Sequence, residues 1–260
     1  MAVSMSALAA DLTAETEDLR TLLVPLGEEE WLSPTPSPGW TILDQVTHLA
    51  YYDGEAVRAV LEPDDFAAEQ RRIGFVAPDV FAVRNRHRSG AAALAWFADA
   101  RSRLLGVYTG LDPAQRLPWF GPTMSAASAL TARIMETWAH GQDVADALGA
   151  TRTPTARLRH IAHLGVHTRP YSYAVHGKRD PEAPVYVRLT APDGDEWAWG
   201  PPDAVDRVEG SALDFCLVVT QRRHPADTAL RTTGPGAAEW LTLAQAFGGP
   251  AGRGRPPAGG

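Results

Sequence analysis

The chain is poor in cysteine, in positive charge and in long apolar runs, and each shortage removes a class of answer. One cysteine, Cys216, leaves no internal disulfide and no ligands for a cysteine-rich zinc site. It sits in an apolar run and reads as inert core. A formal charge of −7 and a pI near 5.6 argue against a nucleic-acid groove, which needs a basic patch. No apolar run approaches the length needed to span a bilayer. The opening stretch "MAVSMSALAADLTAETEDLR" lacks the basic start and apolar core of a secretory signal, and no internal repeat is visible. The expectation is a cytoplasmic protein without nucleic-acid or membrane partners. What the sequence does have is an apolar fraction of 45% in 260 residues, enough to bury one large core or two.

Helical periodicity organises the first half. Leu8, Leu12, Leu19, Leu22, Leu23 and Leu26 predict a first helix over residues 5–26. "SPTPSPGW" (Ser33–Trp40) stops it, and Thr41 with Asp44 three residues on predicts a capped start for a second helix, "ILDQVTHLAYYDGEAVRAVL". Residues 62–88 read as a charged, irregular connection. Residues 90–109 predict a third helix, and Ser125 or Thr123 caps a fourth that ends at Gly149. Together these suggest a helical bundle over residues 1–152. After Thr153 the character changes. Residues 155–168 look helical, "PVYVRLTAPDGDEWAWG" reads as a hairpin around Asp-Gly, "DRVEG" and "TALRTT" as strands, and "SALDFCLVVTQRR" and "AAEWLTLAQAF" as helices. The fold class expected is therefore a helical bundle followed by an α+β domain over 153–248 with a small mixed sheet. The Gly/Pro-rich residues 249–260 are expected to be a disordered tail.

The stretch "ARIMETWAHGQDVADALG" (Ala132–Gly149) carries Glu136, His140 and Asp143. At about 100° per residue all three fall on one narrow stripe with Ala129, Ala132 and Ala147. The bulkier Leu130, Ile134 and Leu148 lie about 120–160° away. Small and polar residues on one line leave room for a ligand. Glu136 and His140, four apart, can reach one metal ion, and a catalytic site wants a third protein ligand with one position left open. His48 on the second helix is the candidate, with Asp44, Tyr51, Tyr52 and Glu55 within about 60° of it. Spacing alone leaves a surface ion pair between Glu136 and His140, and a solvated His48 on a polar face, open as well. Asp143 reads either as an orienting partner for His140 or as a solvated helix residue. Trp40, Tyr51 and Tyr52 read as pocket lining or as packing between loop and helix. His160, His163 and His167 share another helical face and read as surface decoration or a second metal site.

"PGWTILDQVTHLAYYD" (Pro38–Asp53) followed by "ETWAHGQDVADALG" (Glu136–Gly149) resembles the mycothiol-dependent maleylpyruvate isomerase family. The resemblance spans most of residues 5–247. It implies a DinB-like metal-binding four-helix bundle, with His48, Glu136 and His140 holding a divalent metal, zinc being usual. The hairpin and "GSALDFCLVVTQRR" resemble the family's C-terminal α+β domain, which contributes an arginine near the end of such a helix. Arg222 is the candidate for that catalytic role, with Arg223 beside it. "HTRPYSY" (His167–Tyr173) and "QAFGGPAGRGR" (Gln245–Arg255) resemble an uncharacterised actinobacterial branch of the family.

The resemblance implies an enzyme whose partners are a small electrophilic substrate and a low-molecular-weight thiol such as mycothiol. Zinc with two imidazoles and one carboxylate keeps a position where a thiol can ionise. The thiolate then adds to an electrophilic carbon. Elimination gives isomerisation, and retention of sulfur gives transfer, with Arg222 holding a substrate carboxylate. Two rivals stand beside this. One is a metal hydrolase using a zinc-bound water, with Glu55 or Asp143 as general base. The other is a non-catalytic thiol or small-ligand binding protein.

Overall fold

The computed structural model describes residues 4–74 and 78–258. The chain divides into two compact units, Met1–Arg152 and Thr153–Gly260.

In the first unit four long helices form the bundle: α1 (Met5–Leu23), α3 (Ile42–Leu61), α6 (Gly90–Tyr108) and α7 (Ala126–Ala147). Each starts at a side-chain cap. Ser4, Ser89 and Ser125 accept from the amides of Ala7, Ala92 and Ser128, and Thr41 and Asp44 make the reciprocal capping box expected. Helix α3 packs on both α6 and α7, and α1 packs on α7. A one-turn helix, α2 (Glu28–Trp31), seats Trp31 against α6. That contact depends on Gly90, where an added Cβ would lie 2.3 Å from the indole.

The bundle's apolar core is split in two. One cluster gathers Leu8, Leu12, Val57, Leu104, Leu130 and Ile134, and the other Leu19, Val46, Leu49, Phe97 and Val144. Between them, at the same height on each helix, lie the buried polar residues Thr16, Asp53, Arg101, Arg133 and Thr137. Asp53 receives Arg101 Nε at 2.7 Å and Arg133 Nε at 2.9 Å. Arg101 also donates to Thr16 and to Thr137. A buried ionic layer of this kind holds the helices in register only if its members stay paired.

Residues 62–88 are not the irregular connection expected. They contain α4 (Pro63–Ile73) and α5 (Pro78–Asn85). Helix α4 has Pro63 in its first turn, Asp64 and Asp65 at its positive end and Arg71 and Arg72 at its negative end, all favourable placements. Only Phe66 of α4 is buried, so the apolar stripe that betrays a helix is one residue wide. A two-residue ladder, β1 (Arg116–Leu117) with β2 (Met124–Ser125), leads into α7.

The second unit holds α8 (Leu158–His167), α9 (Arg169–Val175), β3 (Val185–Thr190), β4 (Glu196–Trp199), β5 (Asp206–Ser211), α10 (Ala212–Val219), β6 (Arg231–Thr233) and α11 (Pro235–Leu243). The sheet order is β4-β3-β5-β6. The β3–β5 pair is parallel and the other two are antiparallel, so the sheet is small and mixed. Gly194, at φ +91°, takes the left-handed turn between β3 and β4. Cys216 is buried on α10 and burial pushes its thiol well above the usual range, in keeping with an inert core residue. Residues 249–258 are not the loose tail expected from composition. Tyr171 Oη donates to the Gly249 carbonyl at 2.6 Å, Gln245 Oε1 accepts from Gly252 N at 2.8 Å, and Asp227 accepts from Ala258 N at 3.0 Å. No helix among the described residues is long and apolar enough to cross a membrane.

Candidate metal centre

His48 and Glu136–His140 arrive from facing helices, α3 and α7. Glu136 Oε2 lies 3.1 Å from His140 Nε2 and 3.6 Å from His48 Nε2. Among the described residues this is the one group of three or more His, Cys, Asp or Glu whose donor atoms converge, all within 4.8 Å of one another. Both imidazoles are buried, each 8% exposed.

A neighbouring amide decides what each atom offers. Thr35 Oγ1 donates its proton to the Trp40 carbonyl at 3.0 Å. It can therefore only accept from the Gln45 side chain, whose Nε2 lies 2.8 Å away. This turns Gln45 Oε1 toward His140, where it accepts from Nδ1. With its proton on Nδ1, His140 turns the Nε2 lone pair toward Glu136. Burial, with a proton on His140 acting in the same direction, lowers the His48 pKa from 6.5 to about 4 against the opposing pull of Glu136. His48 is neutral near pH 7. Burial by itself would raise the Glu136 carboxyl, but protons on the facing imidazoles, His140 first and then His48, outweigh it whenever they are carried and hold the group well below the usual carboxylate range. An ionised carboxylate and two imidazole nitrogens thus face one point, an arrangement that calls for a cation. Two nitrogens and one oxygen suit a divalent ion of the zinc type and leave room for an exchangeable ligand.

The other expected residues divide. Trp40 and Tyr52 line the centre. Trp40 stacks on His140 with centroids 5.9 Å apart and lies 5.2 Å from His48, and Tyr52 lies 4.6 Å from His48. Burial and the charge of Glu136 raise the Tyr52 phenol, so it stays a hydrogen-bond donor. Tyr51 turns away to stack on Phe81 at 4.3 Å, and burial, then Glu55, pushes its phenol up to about 12. Glu55 does not join the triad. Its carboxylate takes Arg58 at 3.1 Å, and Arg58 reaches on to Glu69 at 2.7 Å. Glu55 also lines a cleft of about 330 Å³ with Arg58, Trp96 and Arg103. Asp143 is fully buried, not solvated, and accepts from Ser37 Oγ at 3.0 Å. It therefore anchors the loop that carries Trp40. Arg86 fastens the same loop by donating to the Gly39 carbonyl and to Asp44.

Gln45, the residue that orients His140, is the one the sequence reading missed. Its signal was position: it lies three residues before His48 on α3. In the second unit, Arg222 follows the end of α10, where Gln221 takes a left-handed φ of 59°, and Arg222 Nη1 donates to the Thr220 carbonyl at 2.6 Å. Arg223 Nη1 donates to the Arg222 carbonyl. His163 and His167 lie with ring centroids 3.9 Å apart, tilted by 35°, but no third donor converges with them among the described residues.

Comparison with known proteins gives the family and the fold. The family model "Mycothiol maleylpyruvate isomerase N-terminal domain" matches residues 12–145, and a model described as "Wyosine base formation" matches residues 181–233. Uncharacterized proteins from two strains of Mycobacterium tuberculosis, CDC 1551 / Oshkosh and H37Rv, are each 49% identical over 251 residues, 95% of this chain and 97% of theirs. The crystal structure of the mycothiol-dependent maleylpyruvate isomerase superposes with a TM-score of 0.63 at 15% identity, covering 88% of this chain and 93% of that one. A histidine-to-alanine mutant of that enzyme gives 0.61 over the same shares. At this identity the two crystal structures speak for the fold.

Proposed function

Because the chain belongs to the family defined by the mycothiol maleylpyruvate isomerase N-terminal domain, we propose that it is a metal- and thiol-dependent enzyme that isomerises a small electrophile or transfers sulfur to it. The observation that carries this reading is the convergence of His48 Nε2, His140 Nε2 and the ionised Glu136 on one point. A divalent ion held there, zinc being the ion the donor set suits best, would supply the charge that lets a thiol such as mycothiol ionise at neutral pH.

The chain's own residues do the rest. Gln45 keeps the His140 ring in one tautomer, so no proton competes for Nε2. Trp40 and Tyr52 cover the imidazoles and exclude water from them. The Tyr52 hydroxyl offers a proton donor at the site's edge. The resemblance assigns Arg222 the substrate carboxylate, which a guanidinium can hold through two parallel bonds. Of the two carboxylates that a hydrolase would need as base, Glu55 is taken by Arg58 and Asp143 by Ser37, which favours the thiol reading.

The test is turnover with and without thiol. Purified protein with mycothiol and a set of unsaturated acids, maleylpyruvate among them, is read by mass spectrometry for sulfur adducts and by chromatography for isomerised product. The expected result is product only when thiol is present, with Arg222→Ala sparing metal and thiol binding and cutting turnover about a hundredfold. Turnover unchanged without thiol would overturn the proposal.

A further inference from the structure

Six half-buried aromatic rings reach one side of the bundle from four places in the chain. Trp40 comes from the loop before α3, Tyr51 and Tyr52 from α3, Phe81 from α5, and Trp119 and Phe120 from the segment between β1 and β2. The rings form one continuous wall that begins at the triad. Tyr52 touches His48 at 4.6 Å, then Phe120 at 5.3 Å and Phe81 and Trp119 each at 6.3 Å. Phe66, fully buried, backs the wall behind Trp119 and Phe120 at 6.2 and 5.4 Å.

Rings gathered only to build a core would be covered, as Phe66 is. A contiguous, partly exposed aromatic surface ending at convergent polar groups is the form of a ligand site. Resting on the metal-centre reading above, we infer that the wall is a subsite for the body of the electrophile, and that this body is planar and apolar, an aryl or extended conjugated group. Phe81 and Phe120 have no side-chain hydrogen-bonding atom, so this part of the site recognises shape and apolar area. A short, doubly charged acid would leave the wall in water. A sugar also stacks on aromatic rings, and Trp40, Tyr51, Tyr52 and Trp119 bring polar atoms to the same wall, so a sugar is one outcome of the test. The polar head of the ligand lies at the triad end, beside the Tyr52 hydroxyl.

The test uses metal-loaded protein and two chelators with the same oxygen pair, benzohydroxamate and acetohydroxamate, which differ by phenyl for methyl. Calorimetry should give benzohydroxamate about tenfold tighter or more, the effect of burying a ring. Phe120→Ala should bring the two within about threefold of each other and leave acetohydroxamate unchanged. The milder Phe120→Leu keeps the volume and should lose part of the preference. Equal affinities in the unsubstituted protein, or a full preference surviving Phe120→Ala, would overturn the inference. So would displacement of benzohydroxamate by methyl glucoside, which would give the wall to a carbohydrate. A second arm separates this from the metal reading. Metal-free protein is titrated with 1-anilinonaphthalene-8-sulfonate, whose fluorescence reads the wall alone. Binding lost on Phe120→Ala supports the wall even if no ion is taken up, and binding unchanged by it counts against the wall whatever the triad does.

Discussion

Two buried polar clusters share helices α3 and α7, and they follow opposite rules. At Asp53, donors meet acceptors: one oxygen takes Arg101 and the other takes Arg133. At Glu136 the carboxylate faces two imidazole nitrogens, and the one on His140 is left unprotonated by Gln45. His48 Nδ1 is buried with no hydrogen-bond partner among the described residues. In the first cluster both Asp53 oxygens have a guanidinium partner, with Arg133 Nη2 alone left without one among the described residues, while the second presents a set of donors suited to a cation. The deeper cluster and the shallower one therefore serve different ends. A closed ionic cluster holds the helices, and an open one keeps a site whose cost is borne by the rest of the fold.

The largest expected effects set the two against each other. Asp53→Ala leaves two guanidiniums buried without their counter-charge and should lower unfolding free energy by about 3–5 kcal/mol, measured by urea denaturation of metal-free protein. His48→Leu removes a ring that has one nitrogen unpartnered, so the metal-free protein should stay within about 1 kcal/mol of the unsubstituted one. Metal content should behave the other way round. It should fall from one ion per chain to none in His48→Leu and in His140→Ala, as read by elemental analysis, and persist in whatever Asp53→Ala protein remains folded. Similar losses of stability in Asp53→Ala and His48→Leu would dissolve the distinction.

A smaller effect comes from pH. The folded pKa of His48 is about 4, against 6.5 for the free ring, because burial and then His140 disfavour its charged form. Between those two values the unfolded chain binds more protons than the folded one. Metal-free protein should therefore lose about 3 kcal/mol as pH drops through that window. Glu136 acts lower down. Its carboxyl is held well below its ordinary value of 4.5, so its contribution is present above that pH and is lost as pH falls through the depressed value. Urea midpoints against pH should show both steps, and His48→Leu should delete the upper one and shrink the lower, since His48 is one of the groups that hold Glu136 down. An upper step that survives His48→Leu belongs to another group.

Much of this was legible in the sequence where a short-range rule applied. The capping box at Thr41 and Asp44, the hairpin at Asp193–Gly194 and the stripe of Glu136 and His140 depend on spacing, and spacing is visible. Helix α4 was not, because its single buried residue, Phe66, gives no period to read. The order in residues 249–258 was hidden for a related reason. Its partners, Tyr171, Gln245 and Asp227, lie elsewhere in the chain, and composition carries no trace of them. At the centre, the three convergent residues could be named from type and position. Asp143 and Glu55 were read on the right helices and placed against the wrong partners, since their partners Ser37 and Arg58 are set by side-chain direction.

The subtlest expected effect is at Gln45, which touches no ion. Its side chain accepts from His140 Nδ1 and donates to Thr35, and so fixes the tautomer that frees Nε2. Gln45→Leu keeps the volume and removes both bonds. Metal affinity, measured by competition with a chromophoric chelator, should weaken about ten- to hundredfold while one ion per chain still binds at saturation. Gln45→Glu provides the opposite sign. Its carboxylate is a stronger acceptor for Nδ1–H, and the Thr35 hydroxyl can turn its proton from the Trp40 carbonyl to the second oxygen. Affinity should then equal or exceed that of the unsubstituted protein. The order Glu, Gln, Leu from tightest to weakest would identify Gln45 as the residue that sets the ligand's basicity. Equal affinity in Gln45→Leu would reduce it to a tie between helix and loop and would weaken the tautomer argument on which the open cluster rests.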